Sequence, residues 1–279
     1  MTDSPTEPKP GKAPRRVGAA GVAEIVLLLS IGYAVHLYYN LIGHIASLRG
    51  VDFGPRLLTP LDAAIPYLPF CVQFYQLAYV APLALVALSV PRVGADMAFY
   101  RRLWASFLVL LLVHFTLYLL VPTSARSVRV PDEMIGHGLN GELVRYQYRV
   151  VTAWCAWPSL HVSACWFFYR ALGPQLPSWR RVYLIWFAGM MTATAVIKIH
   201  YALDGVTGLL VAELAYRLVL RRMQRTEWSP GQSLESRKRL ALLAVMLVLV
   251  LGGLAGLTRL TGFEGPALAQ VPLSRLWTP

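Results

Sequence analysis

The sequence predicts an all-α fold, a helical bundle that is a polytopic integral membrane protein. Two observations carry this expectation. The chain of 279 residues is 56% hydrophobic and only 14% charged, where a soluble domain carries about 25% charged residues, and its mean hydropathy is +0.51. Its apolar residues also fall into runs close to the roughly 20 residues that a helix needs to cross hydrocarbon. The net charge of +12 does not indicate a nucleic-acid partner. The basic residues stand in short blocks between apolar runs, as membrane-flanking charges do, and neither a basic helix with interleaved aromatics nor zinc-finger spacing occurs.

Taken in order, the elements are these. "MTDSPTEPKPGKAPRR" is polar and Pro-rich, and predicts a disordered cytoplasmic tail over residues 1–18. The run that follows, about 20–46, contains His36, Tyr38, Tyr39 and Asn40. It is too long for the apolar region of a cleaved signal peptide and predicts a retained first span. Further spans are expected at about 64–90, 102–122, 159–174, 180–199, 201–221 and 239–260, the one at 159–174 being short. The stretch "MQRTEWSPGQSLESRK" predicts a polar linker over 223–238. The expected organisation is thus a six-helix membrane domain over 19–222, the cytoplasmic linker, and an additional transmembrane helix with its tail over 239–279.

Lysine and arginine positions set the orientation. With the N-terminus cytoplasmic, 17 of the 26 basic residues fall on the cytoplasmic side, and every cytoplasmic loop is basic. The loop 123–158 and the starts of the spans at 159 and 201 then lie on the periplasmic, extracellular or lumenal face. The three cysteines, Cys71, Cys155 and Cys165, show no metal-ligand spacing and define no disulfide framework.

Two short stretches carry chemistry. In "HYALD", His200 and Asp204 are four residues apart at the start of an apolar helix, a spacing that puts both side chains on one face. A carboxylate inside a membrane boundary is costly unless paired, and an Asp on one imidazole nitrogen fixes the tautomer and raises the basicity of the other. A structural His–Asp bond closing a helix end would show the same pattern. In "WPSLH", Pro158 suits a first helical turn. Ser159, Leu160 and His161 present free N–H groups where a helix attracts phosphate, and His161 can act as acid or base. A serine cap beside a bystander histidine is the bland alternative. Their combination at one membrane face is what singles them out. Lys198, Arg126 and Arg129 stand near them and suit an anionic group. Arg145 and Arg149 are expected to meet lipid headgroups or loop carboxylates instead, and His114 and Glu213 to make interhelical hydrogen bonds.

"PSLH" at 158–161 and "HYALD" at 200–204 match, in order and spacing, the Pro-Ser-x-His and His-x3-Asp motifs of the type-2 phosphatidic-acid-phosphatase superfamily, which the chain resembles over roughly 60–222. The Leu of "PSLH", Tyr201 and "IPYLP" at 65–69 resemble the branch related to inositol-phosphorylceramide synthase. The family's Lys-x6-Arg-Pro motif is altered: Pro122 stands seven before Arg129, and Val130 follows it. The Ser-Arg that opens its last motif is replaced by Ala193 and Thr194.

The resemblance implies a six-helix phosphatase-type core plus the extra C-terminal helix. It implies a metal-independent lipid-phosphate phosphatase, with His200 as nucleophile forming a phosphohistidine, Asp204 orienting it and His161 protonating the leaving oxygen. Phosphate would be held by Ser159, Lys198, Arg126 and Arg129, the cations replacing those the family motifs lack. No cofactor and no metal is expected. The expected partners are a phospholipid or isoprenoid phosphate substrate and membrane lipids. A phosphotransferase that passes a phosphorylated headgroup to a lipid alcohol would share these residues. A non-catalytic protein that binds or transports anionic lipid is a third reading, ranked below both.

Overall fold

The computed structural model describes residues 18–77, 80–93 and 96–263; the predicted N-terminal and C-terminal tails lie almost wholly outside the described residues. Helices account for the regular structure, and no strand occurs among the described residues. They are α1 (Ala19–Leu48), α2 (Pro60–Ala64), α3 (Val72–Gln76), α4 (Ala81–Val93), α5 (Met97–Leu120), α6 (Leu139–Val150), α7 (Leu160–Leu172), α8 (Arg180–Val196), α9 (Ala202–Ala215), α10 (Arg221–Arg225) and α11 (Ser236–Thr261). Three of them, α1, α5 and α11, are long and apolar enough to cross a membrane, which marks the chain as a membrane protein.

The span expected at 64–90 is not one helix. Pro66 and Pro69 remove backbone donors where a helix would need them. The chain there runs extended, makes a single 3-10 turn at Pro69–Cys71, and resumes as α3 and then α4. The N–H of Leu68 donates instead to the carbonyl of Val196 at the end of α8, 3.0 Å away. The span expected at 159–174 corresponds to α7, whose 13 residues rise only about 20 Å. The span expected at 201–221 begins as α9 and continues through a π-helical turn at Tyr216–Leu220 into α10. The segment 139–150, unassigned by hydropathy, is helical α6, and Arg145 on it pairs with Glu142 and Asp132.

Local chemistry places the helix starts. The Asp96 carboxylate accepts the N–H of Phe99 at 3.1 Å and caps α5, and the Ser159 hydroxyl accepts that of Val162 at 3.4 Å and caps α7. Pro158 therefore lies just ahead of the cap rather than in the first turn. α11 ends on Gly262 in the left-handed region, φ 65°, a conformation that glycine adopts without a Cβ clash.

The core forms where α1, α5, α7 and α9 meet, with α4 and α8 flanking α7. Tyr75, Tyr100, Tyr118, Phe167 and Phe168 are among its fully buried side chains. His114 joins α5 to α7: its Nδ1 bonds the Leu110 carbonyl and its Nε2 the Ser163 hydroxyl, each at 2.9 Å. α11 lies against α1. It is fixed near its start by Arg239, which with Arg101 pairs with Glu24, along its length by Tyr38 Oη donating to the Val250 carbonyl at 2.7 Å, and at its end by His44 Nε2 on the Thr261 carbonyl at 3.0 Å.

α7 and α9 approach so closely that a Cβ on Gly208 would lie 2.5 Å from the Ser159 carbonyl oxygen. Because that obstacle is backbone, Gly208→Ala must push the two helix starts apart. Displacements of about 1 Å near reacting groups cost about 100-fold in rate. A loss of that order in turnover, with the protein still folded by circular dichroism, is the expected result; unchanged turnover would show that the helix spacing is not critical.

Candidate active site

The two motif segments are bonded to each other through their backbones. The Ser159 N–H donates to the Asp204 carbonyl at 2.9 Å, so the first turns of α7 and α9 begin side by side. The approach to α7 is held separately. Ala156 N–H donates to the Thr123 carbonyl at 3.2 Å, Trp157 N–H to the Thr123 hydroxyl at 2.9 Å, and Tyr118 Oη to the Pro158 carbonyl at 2.8 Å.

His200 lies in the turn between α8 and α9. That turn is made by Lys198, whose φ of 57° is in the left-handed region, and the N–H groups of Ile199 and His200 both point back to the Thr194 carbonyl. The His200 ring is 2% exposed. Its Nδ1 is 2.9 Å from the Ala156 carbonyl and 3.2 Å from Asp204 Oδ2. Both partners accept, so Nδ1 carries the hydrogen and Nε2 presents a lone pair. Asp204 Oδ2 also accepts the Tyr201 N–H at 3.0 Å, which orients the carboxylate, while its buried Oδ1 has no hydrogen-bond partner among the described residues.

The His200 lone pair faces His161, with Nε2 and the His161 Nδ1 separated by 3.4 Å. Tyr75 Oη also approaches the His161 ring, 2.9 Å from Nε2 and 3.3 Å from Nδ1. Tyr75, His161, His200 and Asp204 thus form one chain in which each donor can find an acceptor. Tyr75 is the member that the sequence did not single out. It comes from α3, inside the segment mistaken for a continuous span, and no spacing in the sequence links it to either motif.

Two cavities reach His161. One, about 110 Å³, is apolar and lies among Leu29, Gly32, Trp104, Phe107 and Phe168. The other, about 270 Å³, is lined by Tyr39, Asn40, Gln76 and Gln147 among others. Tyr33 and His36 border both.

The expected phosphate ligands separate. Ser159 is fully buried at the cap of α7; as an acceptor from Val162 it keeps its own hydrogen to donate. The Arg129 guanidinium donates to the carbonyls of Tyr148 and Val151 at 2.9 and 3.0 Å and lies over the Tyr148 ring. Its Nε is buried without a partner, and no carboxylate pairs with it among the described residues. Burial holds its pKa below the usual value, and Tyr75 and Tyr39 are among the groups acting on it. Lys198 Nζ donates to the carbonyls of Asp62 and Ile65, both at 2.6 Å. Arg126 is exposed, with its guanidinium 5.4 Å from the Trp154 ring centroid, and it lines a different cavity.

Asp62 completes the support. Its Oδ1 accepts the Ala202 N–H at 2.7 Å, and its Oδ2 accepts from the Thr59 backbone at 2.8 Å. Burial alone would raise this carboxyl, but those bonds and the nearby Lys198 ammonium carry it below its ordinary value of 3.8. The anchor is therefore fully effective above about pH 4 and is lost as pH falls through the lower folded value. Lys198→Ala removes both carbonyl bonds. The expected cost is about 1 kcal/mol, read as a fall of about 2–4 °C in melting midpoint; an unchanged midpoint would mean that the lysine does not fasten the 59–65 segment.

No curated protein and no solved structure matches the chain at a significant level. A family model described as the PAP2 superfamily matches residues 46–218, which include both histidine motifs and the helices that position them. The match spans more than half of the sequence, and the chain belongs to the PAP2 superfamily.

Proposed function

We propose that the protein is a lipid-phosphate phosphatase that works through a phosphohistidine. The observation that carries this reading is the locked tautomer of His200: Nδ1 is committed to Ala156 and Asp204, and Nε2 is left as a nucleophile facing a second imidazole. In the first step Nε2 attacks phosphorus. The N–P bond forms as the bond from phosphorus to the lipid oxygen breaks, and His161 supplies the proton that this oxygen takes up. Asp204 stabilises the positive ring that results. In the second step water attacks phosphorus, gives its proton to His161, and the N–P bond breaks to release phosphate. Ser159, whose hydroxyl hydrogen is available, and Arg129, whose half-buried charge has no carboxylate partner among the described residues, suit the phosphoryl oxygens. Arg126 is left out of this clamp. Lys198 keeps a third ammonium hydrogen for it. The orientation read from the basic residues would put this site on the non-cytoplasmic face.

Burial favours a second reading. His161 and His200 are 7% and 2% exposed, and an apolar cavity ends at His161. A lipid alcohol could take the place of water, which would make the protein a phosphotransferase of the kind its "IPYLP" segment resembles. The experiment presents a panel of lipid phosphates to purified protein and measures inorganic phosphate and new phospholipid together. His200→Ala is expected to lose turnover by at least about 1000-fold, and radiolabelled substrate is expected to leave acid-labile phosphate on the wild type alone. Free phosphate would support the phosphatase and new phospholipid without it the transferase; full turnover in His200→Ala would sink both. Full activity in chelator is expected for either.

Tyr75 is assigned here as a positioning residue for His161. Tyr75→Phe is expected to lower kcat about tenfold with KM nearly unchanged. A rise in KM with kcat intact would instead place the hydroxyl on the substrate.

A further inference from the structure

A third cavity, about 370 Å³, opens where α1 and α11 end, bordered by Arg126, Arg149, His44, Asn40, Trp154 and Phe263. It adjoins the larger histidine cavity through Asn40, but neither Arg126 nor Arg149 lines that larger cavity. Both arginines are exposed. Neither makes an ion pair, and Arg149 makes no side-chain hydrogen bond, among the described residues. Arg145, one turn earlier on α6, is by contrast satisfied by Glu142 and Asp132. No carboxylate lines the cavity among the described residues. Two unpaired guanidinium groups in one concave site make a receptor for a phosphate.

The surroundings decide the source of that phosphate. α1 and α11 are apolar along lengths that cross hydrocarbon, so the place where they end is at headgroup depth. Trp154 and Phe263 are the aromatic residues expected at that depth. α11 has no buried residue, and Leu257 and Leu260 near its end are exposed, which leaves an apolar flank for hydrocarbon chains directly beside the arginines. We infer that this cavity binds the phosphate of an anionic membrane phospholipid between Arg126 and Arg149, with its chains along α1 and α11. The bound lipid would be a resident of the protein rather than its substrate, and the inference does not depend on the catalytic reading.

The test uses the full chain in detergent, titrated with phosphatidylglycerol, with phosphatidylcholine or with inorganic phosphate, and native mass spectrometry reads the retained ligand. Wild type is expected to retain one phosphatidylglycerol at least about tenfold more tightly than phosphatidylcholine. The Arg126→Gln/Arg149→Gln variant should lose that preference, and Arg145→Gln should keep it. Arg149→Gln alone guards against misfolding, because its guanidinium holds no other described residue, and it should weaken retention severalfold. Equal retention of phosphatidylcholine, or phosphatidylglycerol binding unchanged in Arg149→Gln and in the double variant, would overturn the site. Inorganic phosphate that displaces the lipid at comparable concentration would overturn the lipid as its source. His200→Ala protein is expected to bind as wild type does, so failure here and failure of the catalytic reading are separate results.

Discussion

The backbone hydrogen bond from Ser159 to Asp204 is the joint on which the rest of the site turns. It brings together two helix starts that are more than forty residues apart in sequence, and it fixes them without using any side chain that the chemistry needs. Once it is made, His161 must project from the first turn of α7 toward His200, and Asp204 must lie beneath the His200 ring. Gly208 permits the joint, because a side chain there would occupy the space of the Ser159 carbonyl. Ser163 reinforces it from below, with its hydroxyl close to the carbonyls of both Ser159 and Gly208 and within reach of His114. Polar atoms that would be costly in an apolar interior are thereby concentrated in one cluster, in which Asp204 Oδ1 is left without a partner among the described residues.

Much of this was legible in the sequence because short-range rules govern it. The four-residue spacing does bring His200 to Asp204, although His200 stands in the turn ahead of α9 and not on the helix itself. A Ser after a Pro before an apolar run signals a helix start, and Ser159 caps α7. The assignment of His114 and Glu213 to interhelical bonding agrees with His114 on Ser163 and Trp166 on Glu213. What hydropathy could not resolve is the segment 64–90. Its average apolarity is that of a span, but its prolines dictate breaks, and those breaks are what bring Tyr75 to His161. The cations illustrate a different limit. Arg126 and Arg129 are three residues apart and look equivalent in sequence, yet Arg129 is half-buried against Tyr148 and Arg126 lies exposed over Trp154. Only the path of the loop after α5 decides which is which.

The ionisable groups away from the histidines serve the same economy of burial. Glu24 is 3% exposed on a helix long enough to cross a membrane, and two arginines from different helices answer it. That cluster fastens α11 at one end of the bundle, while His44 fastens it at the other through the last carbonyls of the helix. The additional helix is thus held by polar contacts at both ends and at Tyr38 between them, together with packing against α1, as expected where hydrocarbon surroundings offer no hydrophobic drive for helices to associate.

Under the proposed phosphohistidine reading, the 3.4 Å separation of the two imidazole nitrogens bears on how a phosphate would reach His200. At that distance the rings touch, and no tetrahedral group fits between them. The helices that carry them cannot swing apart cheaply, since their first turns are tied by backbone and by the tight passage at Gly208. The gap must therefore open within one side chain. The His161 ring, bordered by two cavities and steadied by Tyr75, is the part with somewhere to go. On the proposed reading, the part that would have to move is a single imidazole turning on its own bonds, inside a frame held by backbone.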